Sequence, residues 1–159
     1  MNRTFEKLDL NNPLHQEASK LIFDWSQASG SMLPVTVESI RTHPHAWLAL
    51  GPRAVILGHI AVTDIQEGAA KVGALVVNPE FRQTGTGSGL INQLLDDVAL
   101  LPGVKACQTY ANDDSKGLFS RAGGVVIGYR ETAGQTGCHW IMSLTGVIQA
   151  RMAAAACAT

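Results

Sequence analysis

Between positions 82 and 88 the chain reads Arg82-Gln83-Thr84-Gly85-Thr86-Gly87-Ser88, which follows an apolar run ending at Val77 and precedes apolar residues at helical spacing. Such a loop can bind a phosphate group. The first amides of a helix lack intrahelical partners and carry partial positive charge, and glycines let an anion approach where a Cβ would hold it away. A glycine pair can also serve only a tight turn, but the flanking strand and helix favour the anion site. Two familiar phosphate loops are excluded by the letters themselves. A Walker A loop requires Gly-Lys-Ser/Thr, whereas Gly87 is followed directly by Ser88. A dinucleotide loop requires GxGxxG, and Leu90 stands in the third glycine's place.

Other reactive residue types offer less. His43-Pro44-His45 lacks the spacing for two facing metal ligands, and no metal is expected. Ser31, Ser88 and Ser120 have no G-x-S-x-G context, so no hydrolase nucleophile is indicated. Cys107 reads as a buried strand residue rather than a nucleophile.

The elements that must hold the loop follow from periodicity. Residues 4–10 read as a first strand, and Asn12-Pro13 supplies an N-cap and a first helical residue. Leu14, Ala18, Leu21, Ile22 and Trp25 then recur at helical spacing, with Gly30 as a left-handed stop. A shorter helix over residues 36–42 ends before Pro44, because the residue preceding a proline disfavours helical geometry. Residues 45–50, 54–64 and 70–77 read as three consecutive antiparallel strands, broken at Gly51-Pro52 and Glu67-Gly68.

After the glycine-rich loop, Leu90, Ile91, Leu94, Leu95, Val98 and Leu101 mark one helix face that ends at Pro102-Gly103. A strand over residues 104–110, a short helix over 113–122 and strands over 125–130 and 138–144 complete the pattern. The order β-α-α-β-β-β-α-β-α-β-β belongs to the α/β class with a mixed sheet. Residues 1–146 are expected to form one domain. Residues 147–159 are set apart as a tail of no assigned role, its alanine-rich run being either a helix or a frayed end.

The bulk properties set the setting. A chain of 159 residues can bury one continuous core without staples. With 46% hydrophobic residues and a formal charge of −1, it shows neither the basic stripe of a nucleic-acid binder nor a membrane-surface signature. Three cysteines, Cys107, Cys138 and Cys157, are odd in number and far apart, which argues against a disulfide framework and for a cytoplasmic setting. No apolar run approaches the roughly 20 residues needed to span a bilayer, and the first residues do not read as a signal peptide.

Together these residues resemble the GNAT superfamily of N-acetyltransferases. Arg82-Gln83-Thr84-Gly85-Thr86-Gly87 matches the signature Q/R-x-x-G-x-G/A, and Val77-Asn78-Pro79-Glu80-Phe81 resembles the V-x-P-x-[FY] segment before it. Asn112 opens the helix after the fifth strand, where the family often has asparagine, and the element order agrees from about Phe5 to Leu144. The resemblance implies a mixed sheet that splays open between the fourth and fifth strands, with the pantetheine arm of acetyl-CoA in the gap. It implies a bulge near Leu75, Val76 and Val77 whose backbone pairs with that arm, as a missing strand would. Gln83, Thr84, Gly85, Thr86, Gly87 and Ser88 would hold the pyrophosphate, with Arg82 beside them. Asn112 would bond the arm, cap its helix, or both, and Phe119 would pack on the arm.

Transfer of an acetyl group to an amine requires a neutral nucleophile, a stabilised oxyanion and a proton for the departing thiolate. Holding a lysine-like amine neutral at pH 7 costs about 4.6 kcal/mol, whereas protonating a thiolate requires roughly 2 kcal/mol of help, so a base matters more than an acid. The resemblance implies the Val77 N–H as oxyanion donor. Positions aligned with the family's base hold Lys71 and Gly73; Glu67, Asp64 and His59 are alternatives, and Glu67 is preferred. The family's usual tyrosine acid is replaced by Phe119, leaving Tyr110 or water to supply the proton. The acceptor pocket is expected from residues 25–37, the Glu67 turn and residues 131–137, and a homodimer through residues 125–144 is an implied option. The reading is an N-acetyltransferase acting on a small-molecule or protein amine. A non-catalytic acyl-CoA-binding module on the same fold is the alternative, and a nucleotide-binding domain the least favoured.

Overall fold

The computed structural model describes residues 2–29, 35–131 and 138–158. Strand β1 (Thr4–Lys7) leads to helix α1 (Pro13–Ser29), α2 (Val37–Thr42), β2 (His45–Leu50), β3 (Ile56–Gln66) and β4 (Ala69–Val77). Helix α3 (Thr86–Ala99), β5 (Ala106–Ala111), α4 (Asp113–Arg121), β6 (Val125–Glu131), β7 (Cys138–Ser143) and α5 (Thr145–Cys157) complete the order. The expected mixed sheet is present, seven-stranded, in the order β1-β2-β3-β4-β5-β7-β6.

Local chemistry sets the boundaries. Asn12 accepts a hydrogen bond from the Leu14 N–H at 3.0 Å, so the Asn12-Pro13 pair starts α1 as its sequence predicts. β1 is shorter than expected because Asp9 turns the chain, its Oδ1 accepting from the Asn11 N–H and its carbonyl from the Asn12 N–H. β3 begins at Ile56 rather than at residue 54, since Pro52–Ala54 forms a 3₁₀ turn in which Arg53 and Ala54 take positive φ. Gly30, expected to end α1, lies outside the described residues.

Two apolar layers clamp the sheet. On one face α3 buries Leu90, Ile91, Leu94, Leu95 and Val98 completely, with Trp47, Leu57, Ile60, Phe119 and Met142 in the same core. A second cluster joins Ala18 and Ile22 of α1 to Ile40 of α2 and to Leu48, Leu50, Ile56 and Val76 of the sheet. The α1 stripe is narrower than its periodicity suggests, because Leu21 points outward and is 40% exposed.

The stretch read as a tail is helical to Cys157 and packs on the body. Ile148 is buried, and the Arg151 guanidinium donates to Asp96 Oδ1 at 2.7 Å, to the Asn92 carbonyl at 3.0 Å and to Asn92 Oδ1 at 2.8 Å, all on α3. No helix among the described residues is long and apolar enough to cross a membrane. Replacing a fully buried Ile by Ala costs about 2–5 kcal/mol. Ile148→Ala should therefore lose that much stability in urea denaturation; a loss under about 0.5 kcal/mol, the level of ordinary surface changes, would show that α5 adds nothing to the fold.

Candidate active site

The sheet opens where β4 leaves β5. The parallel pairing runs from Ala69↔Ala106 to Val72↔Thr109 and then stops, although β4 continues to Val77 along β3. The register changes from Ala61↔Gly73 to His59↔Val76, which leaves Ala74 and Leu75 together opposite Ile60. This is a β-bulge, one step earlier than the Leu75-to-Val77 position expected, and Ala74 carries it at a φ of +52°. Its freed carbonyl accepts from His59 Nδ1 at 2.8 Å. That bond fixes the proton on Nδ1, and full burial holds the ring neutral, its pKa pushed down to about 4. Beyond the bulge the Asn78 N–H reaches the Leu57 carbonyl at 2.8 Å. Antiparallel alternation then turns the Val77 N–H the other way, toward the gap.

The loop after β4 is built to present amides. Asn78 Oδ1 accepts from the Glu80 N–H at 3.0 Å while its Nδ2 donates to the Ile56 carbonyl at 3.1 Å, tying the 3₁₀ turn Pro79–Phe81 to the sheet. Gln83 and Gly85 take positive φ, at 61° and 84°, and Gly85 is the N-cap of α3. The Gly89 N–H is the first to bond back to the Gly85 carbonyl, so the amides of Thr86, Gly87 and Ser88 precede the intrahelical ladder. Gly87 has a second reason to lack a side chain: a Cβ there would lie 3.0 Å from Leu118 of α4. From the other end of the chain, Arg3 donates to the Thr84 carbonyl.

A cleft of about 660 Å³ lies between this loop, the end of β4 and the start of α4. It is lined by Leu75, Val76, Val77, Arg82, Gln83, Gly85, Thr86, Gly87, Ser88 and Asn112, all anticipated from the sequence, together with Trp25. Thr84 was expected among them but does not line the cleft; its hydroxyl turns to the Phe81 carbonyl at 2.6 Å. Asn112 caps α4, accepting from the Ser115 N–H at 2.9 Å, and faces the cleft as well.

A smaller cleft of about 260 Å³ shares Leu75, Asn112 and Ser115 with the first, so the two meet at the split. Lys71, Gly73, Tyr110 and Phe119 line it, with Val35, Ser39, His43, Thr63 and His139. Phe119 belongs to this smaller space rather than to the larger one. Two cations approach the Tyr110 ring, Lys71 Nζ at 5.3 Å and Arg130 Cζ at 4.3 Å from its centroid. Glu67 is not brought to either cleft. It is an exposed residue of the β3–β4 turn, and at roughly 3.3 Å per strand residue the turn sits about 17 Å from the bulge. Asp64 lines neither cleft, and His59 is committed to the bulge. Of the regions expected to form the acceptor pocket, Val35 lines the smaller cleft and Trp25 the larger one, whereas residues 30–34 and 132–137 lie outside the described residues.

His43 entered the sequence reading only as half of a rejected metal-ligand pair. It caps the C-terminus of α2 with ψ 138°, the extended geometry that the following Pro44 demands, and this carries its ring into the smaller cleft. Its Nε2 is enclosed without a hydrogen-bond partner among the described residues, and burial lowers its pKa, so the ring is neutral at pH 7. The available signal was a histidine at a helix end directly before proline.

Residues 5–124 match the model of the Acetyltransferase (GNAT) family. The chain belongs to that family. It is thus an acyltransferase, of a family that uses acetyl-CoA. No curated protein matches the sequence. Solved GNAT structures align along nearly the whole chain. The ribosomal-protein-S18-alanine N-acetyltransferase from Escherichia coli has 14% identity and a TM-score of 0.70, covering 89% of this chain and 92% of its own. A mutant form of the Vibrio cholerae spermidine N-acetyltransferase SpeG has 13% identity and a TM-score of 0.72, with coverages of 94% and 97%. Rv2747 from Mycobacterium tuberculosis, solved with CoA, has 13% identity and a TM-score of 0.69, with coverages of 87% and 97%. At such identities the likeness is one of fold.

The neutral burial of His59 sets a pH dependence. The unfolded ring takes up a proton near pH 6.5 and the folded ring only near 4, so its contribution to stability is complete above pH 6.5 and is lost as pH falls from there to about 4. That span corresponds to roughly 3 kcal/mol. Urea denaturation should therefore show wild type more stable than His59→Gln at pH 7.5, with the gap closing toward pH 4. A gap constant over that range would contradict the buried neutral ring.

Proposed function

We propose that the protein transfers the acetyl group of acetyl-CoA to a primary amine by direct attack inside the two joined clefts. The observation that carries this reading is the split itself: an amide-rich helix start lies at one end of a gap whose other end opens into a second, smaller cleft. The larger cleft lies within the roughly 300–1,000 Å³ common for small-molecule sites. The 83–88 amides suit the pyrophosphate, and the unpaired edge of residues 73–77 suits the pantetheine amides, as an added strand would be held. Asn112 combines its cap with a contact to the donor.

The amine arrives from the smaller cleft. His43, neutral and lining this cleft, takes its proton directly or through a water. The nitrogen then forms its bond to the thioester carbon, and the Val77 N–H stabilises the oxyanion. As the carbon–sulfur bond breaks, the thiolate takes a proton from the Tyr110 hydroxyl, and the second proton, shed by the acylated nitrogen, passes through water to restore the tyrosine. His43 replaces Glu67 in this role because it alone of the two reaches the cleft. The exposed Val125, Ile127 and Tyr129 on the edge strand β6 support the pairing of two copies. Phe119, in the place of the family's tyrosine, favours a second reading, a module that binds acyl-CoA without turnover.

Ser88→Glu separates loop function from loop stability. A carboxylate in the first turn of a helix is stabilising or neutral, yet it repels pyrophosphate. The variant should melt at or slightly above the wild-type temperature when free, and should lose the rise of several degrees that saturating acetyl-CoA gives wild type. An undiminished rise would remove the pyrophosphate from this loop. His43→Gln should lower kcat for acetyl transfer about 10²-fold or more with acetyl-CoA binding unchanged. Thiol release at the wild-type rate would place the base elsewhere, and none from wild type across a broad amine panel would favour the non-catalytic module.

A further inference from the structure

The charges around the smaller cleft are one-sided. Lys71 is its charged lining residue, and no Asp or Glu lines it among the described residues. Arg130 stands just behind, its guanidinium against the same Tyr110 ring that Lys71 approaches. Neither cation makes an ion pair with a described residue; Asp64, across the strand from Lys71, is not within ion-pair distance of it. The sequences of the two internal undescribed segments hold no acidic residue, since residues 30–34 read Gly-Ser-Met-Leu-Pro and residues 132–137 read Thr-Ala-Gly-Gln-Thr-Gly. Asp113 and Asp114 lie in the larger cleft, and Asp113 is engaged by Trp140 Nε1 at 3.1 Å.

Such a cleft disfavours a second positive charge. A polyamine, whose chain carries several ammonium groups, would bring cations against Lys71 and Arg130 with no carboxylate to receive them, a repulsion strengthened by partial burial. At about 260 Å³ the space is also below the size of pockets that take drug-sized ligands, roughly 300–1,000 Å³. It fits a molecule of amino-acid size.

Resting on the transferase reading, we propose that the acceptor is a small amine that also bears an oxyanion group, an amino acid or a close amino-acid analogue, and that Lys71 binds this group while the amine faces the split. Lys71 serves here as a point charge for the anion, its ammonium near the Tyr110 ring. Arg130 adds positive potential from behind the ring and does not need to touch the acceptor.

The test is free-thiol release from acetyl-CoA with a panel matched for size and differing in charge: the common amino acids, their amides, 2-aminoethylphosphonate, simple alkylamines, and the polyamines putrescine and spermidine. The expected result is that at least one carboxylate- or phosphonate-bearing amine exceeds its uncharged counterpart at least tenfold in kcat/KM, the difference lying in KM. The carboxylate and phosphonate arms tell which oxyanion fits better. In Lys71→Met, which removes the charge and keeps the stem, the ratio of acid to amide should fall toward one, and Lys71→Arg should retain it. A role of Lys71 in folding alone would lower both members of each pair together. Preference for polyamines or uncharged amines would overturn the proposal and leave acetyl transfer standing. An acid-to-amide ratio unchanged in Lys71→Met would overturn the assignment of Lys71. Turnover of no panel member, with the acetyl-CoA thermal shift intact, would overturn both this acceptor class and the transferase reading on which it rests.

Discussion

The parallel pairing of β4 with β5 ends after four residue pairs, and the site depends on what that ending leaves behind. In a closed sheet the edge of residues 73–77 would be consumed by its neighbour. A buried backbone group without a partner costs about 1–3 kcal/mol, so a sheet can remain open only where water or a ligand reaches the edge. The clefts on either side of the split meet that condition. The bulge at Ala74 adds a second demand, because a non-glycine residue at positive φ persists only when its surroundings over-determine it. The bond from His59 to the Ala74 carbonyl is part of that determination. It places a buried neutral imidazole, otherwise an expensive group to enclose, where the irregular strand has a carbonyl to offer.

The loop and its helix were legible because their signals are local. Leu90, Ile91, Leu94, Leu95 and Val98 repeat at helical spacing and are all fully buried, and the glycines sit where the chain must turn and approach closely. The split was reached only by resemblance. No residue type marks the point where a parallel ladder stops, and the bulge is a matter of register between β3 and β4, which composition does not encode. Glu67 falls away from the clefts for a related reason. It was chosen for closeness along the chain, yet a strand carries its first and last residues far apart, whereas the end of α2 brings His43 to the opening from a distant part of the sequence. Asn112 was legible as a cap because a residue at a strand–helix junction is fixed by its immediate neighbours, and the same junction turns it to the cleft.

The loop also shows how one residue can answer to two constraints. Gly85 is required by its backbone, which is left-handed at the N-cap, and a phosphate-binding purpose alone would have accounted for Gly87 as well. The structure adds that Leu118 of α4 lies where a Gly87 side chain would begin. Anion access and helix–helix approach therefore select the same residue, and a substitution there confounds the two. Ser88, one position on, is half-buried and carries no such packing demand.

The contact between Arg3 and Thr84 links residues 81 positions apart. Phe5, two residues on, lies over Gly89, whose Cβ would approach its ring to 2.4 Å. The amino-terminal strand thus braces the start of α3 from outside, and the loop cannot take its final shape by local folding alone. Contacts of such long sequence separation form against a large loop-closure entropy. The donor cleft is therefore a junction of three stretches far apart in the sequence, β1, the loop after β4 and the start of α4, and none of them holds its shape without the other two.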